Sequence, residues 1–238
     1  MLSARDFASI QCDGYKNINE LVPDIHNQLH ACETLFGDWD AQLLILAQDP
    51  ANFAKIETLH RVEGREAYRH DHALRTNITL QSCLSAYLRN VDTRRKIRRT
   101  NRNCGVFYAN AIWLLKASDG MQGRLSNLDA VMKACDPVFS ATLQALKNVK
   151  CIIAVGQKAY GFLSRHTPLD PDWRNAALNS VVQYATIESR EVLIGTTYHT
   201  GFSGSQNRQR AEPNALKDSS LLERDFDRVL KISGLLPA

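Results

Sequence analysis

The 238-residue chain has no Cys-x-x-Cys pair, although it carries six cysteines, at positions 12, 32, 83, 104, 135 and 151. Such wide spacing supplies neither a disulfide framework nor a zinc ligand set, so reduced thiols in a cytoplasmic protein are the expectation. No uninterrupted apolar stretch approaches the roughly 18 residues that span a bilayer, which argues against a membrane helix. The opening residues, Met1 to Asp6, lack the apolar centre of a secretory signal. Also missing are a G-x-S-x-G elbow, a G-x-x-x-x-G-K-[ST] loop and a G-x-G-x-x-G turn, so an α/β hydrolase or a nucleotide-binding protein has no motif in its favour. No internal repeat, low-complexity tract or linker divides the chain. One domain over residues 1–238 is expected, with a helical N-terminal segment over about 1–40.

What is present is ordinary globular material, with 44% hydrophobic and 23% charged residues, enough to bury a sizeable core. A net charge of +4 permits a nucleic-acid partner without demanding one. The basic residues are unevenly spread: Arg89 is followed by a run of Arg94, Arg95, Lys96, Arg98, Arg99 and Arg102. Such a run reads either as a solvated surface or as a contact to phosphates.

The apolar pattern predicts alternating helices and strands. Ile18, Leu21, Ile25, Leu29 and Cys32 recur at helical spacing over 17–36, and Leu43-Leu44-Ile45-Leu46-Ala47 is a short continuous run typical of a strand buried on both faces. A long polar segment from Gln48 to Thr76 precedes a helix over 77–90. A second strand covers Cys104–Ala109 and ends at Asn110. A helix over 136–148 follows, with Pro137 in its first turn. The third strand is Cys151–Val155, turning at Gly156 into a further helix; the fourth is Val192–Tyr198, ending at His199; a last helix runs from about Asn214 to Ile232. This alternation predicts an α/β fold, three-layer α/β/α with a mainly parallel central sheet.

In such sheets ligands bind outside the carboxyl ends of the strands. The residues there are Gln48-Asp49-Pro50-Ala51-Asn52, Asn110, Gly156-Gln157 and His199. An acid, an amide and an imidazole would thus converge from distant parts of the chain. Each also has a plainer reading: Asp-Pro forms turns, Asn110 ends a strand, His199 satisfies a structural bond, and Gly156 allows tight strand-to-helix packing.

Taken in order, these segments resemble the uracil-DNA glycosylase superfamily over roughly residues 41 to 205. The family's water-positioning loop, of G-Q-D-P-Y or G-E-A-P-G type, is matched by Ala47-Gln48-Asp49-Pro50-Ala51. Its strand-ending asparagine is matched by Asn110 in Phe107-Tyr108-Ala109-Asn110-Ala111. The stretch from Pro137 to Leu163 is similar to the helix, strand and glycine that come next, and Tyr198-His199-Thr200-Gly201 stands for the family's H-P-S segment. Ala47, Ala51, Thr200 and Gly201 depart from the usual residues.

The resemblance implies a DNA glycosylase that flips a damaged or modified pyrimidine and hydrolyses its N-glycosidic bond, or a binding module on the same fold without turnover. Asp49 would orient water, His199 would donate to the carbonyl of the departing base, and Asn110 would read the base edge, within a substrate pocket that includes Gln48, Ala51 and Phe53. Ala51, where uracil-selective members carry a bulky aromatic, would leave room for a pyrimidine 5-substituent. Phe53, Tyr68 and Phe107 are each candidates to stack on the base. Arg94, Arg95, Arg98 and Arg99 would contact phosphates, and a loop from Gly201 to Arg208 would enter the minor groove with Phe202 as a wedge. Cys135 falls near a cysteine that some members give to an iron–sulfur cluster, but no other ligands accompany it, so no metal and no cofactor are expected.

Overall fold

The computed structural model describes residues 7–17, 35–48, 75–95, 105–117, 127–213 and 220–237. Six strands form the main sheet: β2 (Leu35–Gly37), β3 (Leu43–Ala47), β4 (Val106–Asn110), β6 (Cys151–Val155), β7 (Gln183–Ile187) and β8 (Arg190–Thr197). Their order is β2-β4-β3-β6-β8-β7. The four inner strands run parallel, and the two edge strands are antiparallel to their neighbours. A separate two-stranded ladder joins β1 (Tyr15–Lys16) to β5 (Leu115–Lys116).

The strand sequences sort themselves between two helical layers by simple alternation. On β3, Leu44 and Leu46 join one core with Ile152 and Ala154 of β6; Leu43 and Ile45 join the other with Cys151, Ile153 and Val155. The first core is covered by α3 (Leu128–Ala145) and α4 (Gln157–Leu163). The second is covered by α1 (Arg75–Cys83), α2 (Ser85–Arg95) and α7 (Ser220–Ile232). The short α5 (Trp173–Leu178) lies beside β8 and contributes Ala176 to one core and Ala177 to the other. The arrangement is therefore a three-layer α/β/α sandwich around a mainly parallel sheet.

Several expectations are corrected. Pro137 stands inside α3 rather than in its first turn. Val131, Met132 and Cys135 before it continue the buried stripe of Val138, Phe139 and Leu143 after it. Burying side chains of this size contributes about 1.5–3 kcal/mol each, which outweighs the roughly 3 kcal/mol that an interior proline costs. The helix over 77–90 is two helices, α1 and α2, with a turn at Leu84. In the N-terminal forty residues the described parts hold the strands β1 and β2, and residues 18–34 lie outside the described set. Strand β7 is absent from the sequence pattern because its turn is Glu188-Ser189 rather than a glycine pair. Both residues take left-handed φ, 51° and 60°, as a tight two-residue hairpin requires. Among the described residues no helix is long and apolar enough to cross a membrane.

Candidate active site

The carboxyl ends of the four parallel strands lie side by side, and three of the expected residues sit on them. Ala47 and Asn110 are register partners at the ends of β3 and β4. The pairing continues past both strands: Ala111 N–H donates to the Ala47 carbonyl and Ile112 N–H to the Gln48 carbonyl, each at 2.8 Å. These two bonds fix Gln48 next to Asn110 at the edge of the sheet. Both residues are half-buried, whereas Ala111 and Ile112 behind them are wholly enclosed.

Two strands further along, β8 leads through Tyr198 to His199. The Gly156 N–H that ends β6 donates to the Thr197 carbonyl at 2.8 Å, holding the exit of β8 to its neighbour. Beneath His199 the support is polar and specific: Trp173 Nε1 donates to Thr196 Oγ1 at 3.0 Å, and that hydroxyl donates to the Ala154 carbonyl at 2.9 Å. The Trp173 ring also packs on the Tyr198 ring, centroids 5.0 Å apart. Three inter-strand gaps separate β4 from β8, so the strand ends that carry Asn110 and His199 lie about 14 Å apart along the sheet edge.

His199 is held by α6 (Phe202–Ala211), whose N-cap is Gly201. The Gly201 N–H donates to His199 Nδ1 at 2.9 Å. Accepting through Nδ1 favours the neutral ring form whose proton is on Nε2. The first turn of α6 lies directly on the His199 backbone: a Cβ on Gly204 would stand 2.0 Å from the His199 carbonyl oxygen. A Cβ on Gly201 would stand 2.9 Å from Nδ1 and 3.2 Å from Thr76 Oγ1 of α1. Only glycine permits helix and histidine to approach so closely.

The remaining expectations divide into three groups. Asp49, Ala51, Phe53, Tyr68, Arg98 and Arg99 lie outside the described residues, as do the side chains of Arg94 and Arg95, the last two residues of α2. Phe107 cannot stack on a base. It is fully buried in the sheet and packed on Trp39, with centroids 4.5 Å apart, because β4 is an inner strand whose alternate residues all face the core. The segment from Gly201 to Arg208 is not a loop but the start of α6, with Phe202 as its first residue and 54% exposed. Arg208 is turned inward, 1% exposed, and is engaged with Asp225.

Sequence reasoning misses Gly201 and Gly204 as supports of the histidine, and Trp173 and Arg208 as their backing. A pair of glycines three apart just after His199 is the available signal. It becomes legible only once residues 202–211 are taken as helical, which puts Gly201, Gly204 and Arg208 on one face. Among the described residues no three His, Cys, Asp or Glu side chains gather as a metal site would require. Cys135 is buried and accepts the Trp113 N–H at 3.2 Å. A scan against protein-family models matches none, and a comparison with curated proteins gives no significant match.

Proposed function

We propose that the chain is a DNA glycosylase that hydrolyses the N-glycosidic bond of a flipped, damaged or modified pyrimidine. The observation that carries the proposal is the His199 tautomer. With Nδ1 accepting, Nε2 is the ring nitrogen left to carry the proton, at the strand end on the same sheet edge as Asn110, and such a pair of groups suits a base that must be gripped by its carbonyl and N–H groups. The resemblance of Ala47-Gln48-Asp49-Pro50-Ala51 to a water-positioning loop supplies the third part.

The chemistry follows from charge. As the C1′–N bond breaks, its electron pair moves to the base, and the sugar becomes oxocarbenium-like. His199 Nε2–H donates to the carbonyl oxygen on which negative charge grows. Asn110 accepts an N–H of the base through its carbonyl and donates through its amide to an adjacent carbonyl. Asp49, the residue after Gln48, orients the water whose oxygen bonds to C1′ and favours the cationic sugar. Interactions that strengthen as charge develops lower the barrier, and one such donor contributes a factor of about 10²–10³ in rate. By the resemblance, Ala51 stands where uracil-selective members carry a bulky aromatic and would leave space for a 5-substituent, which makes uracil and its 5-substituted relatives the substrate class.

The partner is DNA, and the basic run of Arg94, Arg95, Arg98 and Arg99 supplies the phosphate contacts. The test is to incubate the protein with labelled oligonucleotides, each carrying uracil or a 5-substituted uracil, and then treat them with alkali. Strand breaks at the modified position mark base removal. Tight binding with no alkali-labile sites would identify a binding module instead.

A further inference from the structure

We propose that Arg208 is a positioning residue for His199, acting through α6 and locked in place by a bidentate ion pair with Asp225 of α7. The proposal rests on the reading of His199 as a functional hydrogen-bond donor. Gly204 and Arg208 are four residues apart on one helix, so they share its buried face about one turn, roughly 6 Å, apart. Gly204 touches the His199 backbone, and Arg208 is the next buried residue along that face. Whatever fixes the Arg208 side chain therefore fixes the turn on which His199 rests.

Arg208 is fixed from several sides. Its Nε donates to Asp225 Oδ2, and its Nη2 donates to Asp225 Oδ1 at 3.1 Å and to Glu212 Oε2 at 2.9 Å. Glu212 is held in turn by Arg224 Nη2 at 2.6 Å. The Arg208 guanidinium carbon lies 5.9 Å from the centre of the Tyr198 ring, the residue immediately before His199. The same cation thus contacts the chain before the histidine and carries the helix that begins after it. A two-pronged guanidinium–carboxylate pair sets orientation as well as distance, which a lysine cannot do.

The energetics favour a geometric role over a stabilising one. Arg208 and Asp225 are 1% and 0% exposed, and Arg208 Nη1 has no hydrogen-bond partner among the described residues. Burial pushes the Asp225 carboxyl above the usual carboxylate range, against the two bonds from Arg208 that favour its ionised form. Replacing such a pair by apolar residues of similar volume is often neutral or stabilising. What apolar residues cannot reproduce is the fixed direction of the fork.

The test compares wild type with Arg208→Met/Asp225→Leu and with Arg208→Lys. Thermal melting reports the fold, and ¹⁵N spectra report the His199 ring nitrogens, assigned among the seven histidines by loss of the signal in His199→Gln. The double variant should melt at or above the wild-type temperature. Its His199 ring nitrogens should nevertheless move toward the average of the two tautomers as the Gly201 N–H bond loosens. In single-turnover cleavage its rate should fall roughly 10²-fold, the cost of a misplacement near 1 Å, with KM unchanged. A folded double variant that keeps the wild-type His199 spectrum overturns the proposal, whether or not the wild type cleaves any substrate. Should the double variant fail to fold, Arg208→Lys decides: a folded protein with a shifted His199 spectrum supports the positioning role, and an unchanged spectrum refutes it.

Discussion

Gly201 and His199 are joined by a 2.9 Å hydrogen bond in which the glycine N–H donates to the imidazole Nδ1. The bond spans only two residues, yet it favours Nε2 as the ring nitrogen that carries the proton. It forms because the chain leaves β8, passes the buried Thr200 and turns at once into α6. The helix start and the histidine are therefore one structural unit, and its weak points are the glycines.

Gly204→Ala should disable this unit. The added methyl would stand 2.0 Å from the His199 carbonyl oxygen, a backbone atom that cannot swing aside. We expect lower stability, and a displaced His199 in whatever fraction folds. Gly161→Ala, at an exposed position of α4, is the control, since a methyl there would meet nothing within 4 Å. That change should raise stability by about 0.5–1 kcal/mol, as helix propensity dictates. Denaturant melts of the two variants check both signs.

Phe202 and the basic run should separate in a salt titration. Alanine at Arg94, Arg95, Arg98 and Arg99 should weaken DNA binding across all sequences. For every phosphate that is no longer neutralised, the log K against log salt slope should flatten by roughly 0.7–0.9. Phe202→Ala removes an exposed apolar ring and should leave that slope unchanged while reducing affinity for duplex with a flipped base. An unaltered slope in the arginine variant would make the run a solvated surface.

The Glu212 carboxyl is held down to about 2, from 4.5, by hydrogen bonds from Arg224 and then Arg208. A carboxylate lowered on folding contributes stability that is complete above 4.5 and is lost as pH falls toward 2. Glu212→Gln should therefore flatten the melting temperature against pH across that interval. Parallel curves for variant and wild type would show that the Arg208–Glu212–Arg224 contacts do not hold in solution.

Burial pushes the thiols of Cys83 and Cys151 up to about 12 and that of Cys135 up to about 11. Thiolate is the reactive form, so none of the three should be alkylated in the native protein at about pH 8. All three should react in denaturant. Mass spectrometry after iodoacetamide treatment reads this directly, and native labelling of Cys151 would contradict its place in the sheet core.

The inner strands are legible in the sequence because a parallel strand buried on both faces must be apolar throughout, as Leu43–Ala47 and Cys151–Val155 are. Their order along the chain is enough to bring Gln48, Asn110 and His199 to one edge. The misread parts have local causes. Pro137 resembles a helix start because its cost is visible in sequence, whereas the buried stripe that offsets it depends on tertiary packing. Helix α6 resembles a loop because glycine, serine and asparagine are frequent in it; Gly201 and Gly204 are there for close approach to His199, not for flexibility. Arg208 falls at the end of that expected loop because nothing in its neighbourhood announces Asp225, seventeen residues on.

The central claim is that His199 stabilises charge on a departing base. The direct measurement is single-turnover cleavage of uracil-containing duplex, scored as alkali-labile sites, for wild type and His199→Ala under identical salt. Wild type should give alkali-labile sites, and the variant a rate about 10²–10³ lower, with DNA affinity little changed. No alkali-labile product from wild type on uracil or any 5-substituted uracil, or equal rates for the two proteins, would contradict it.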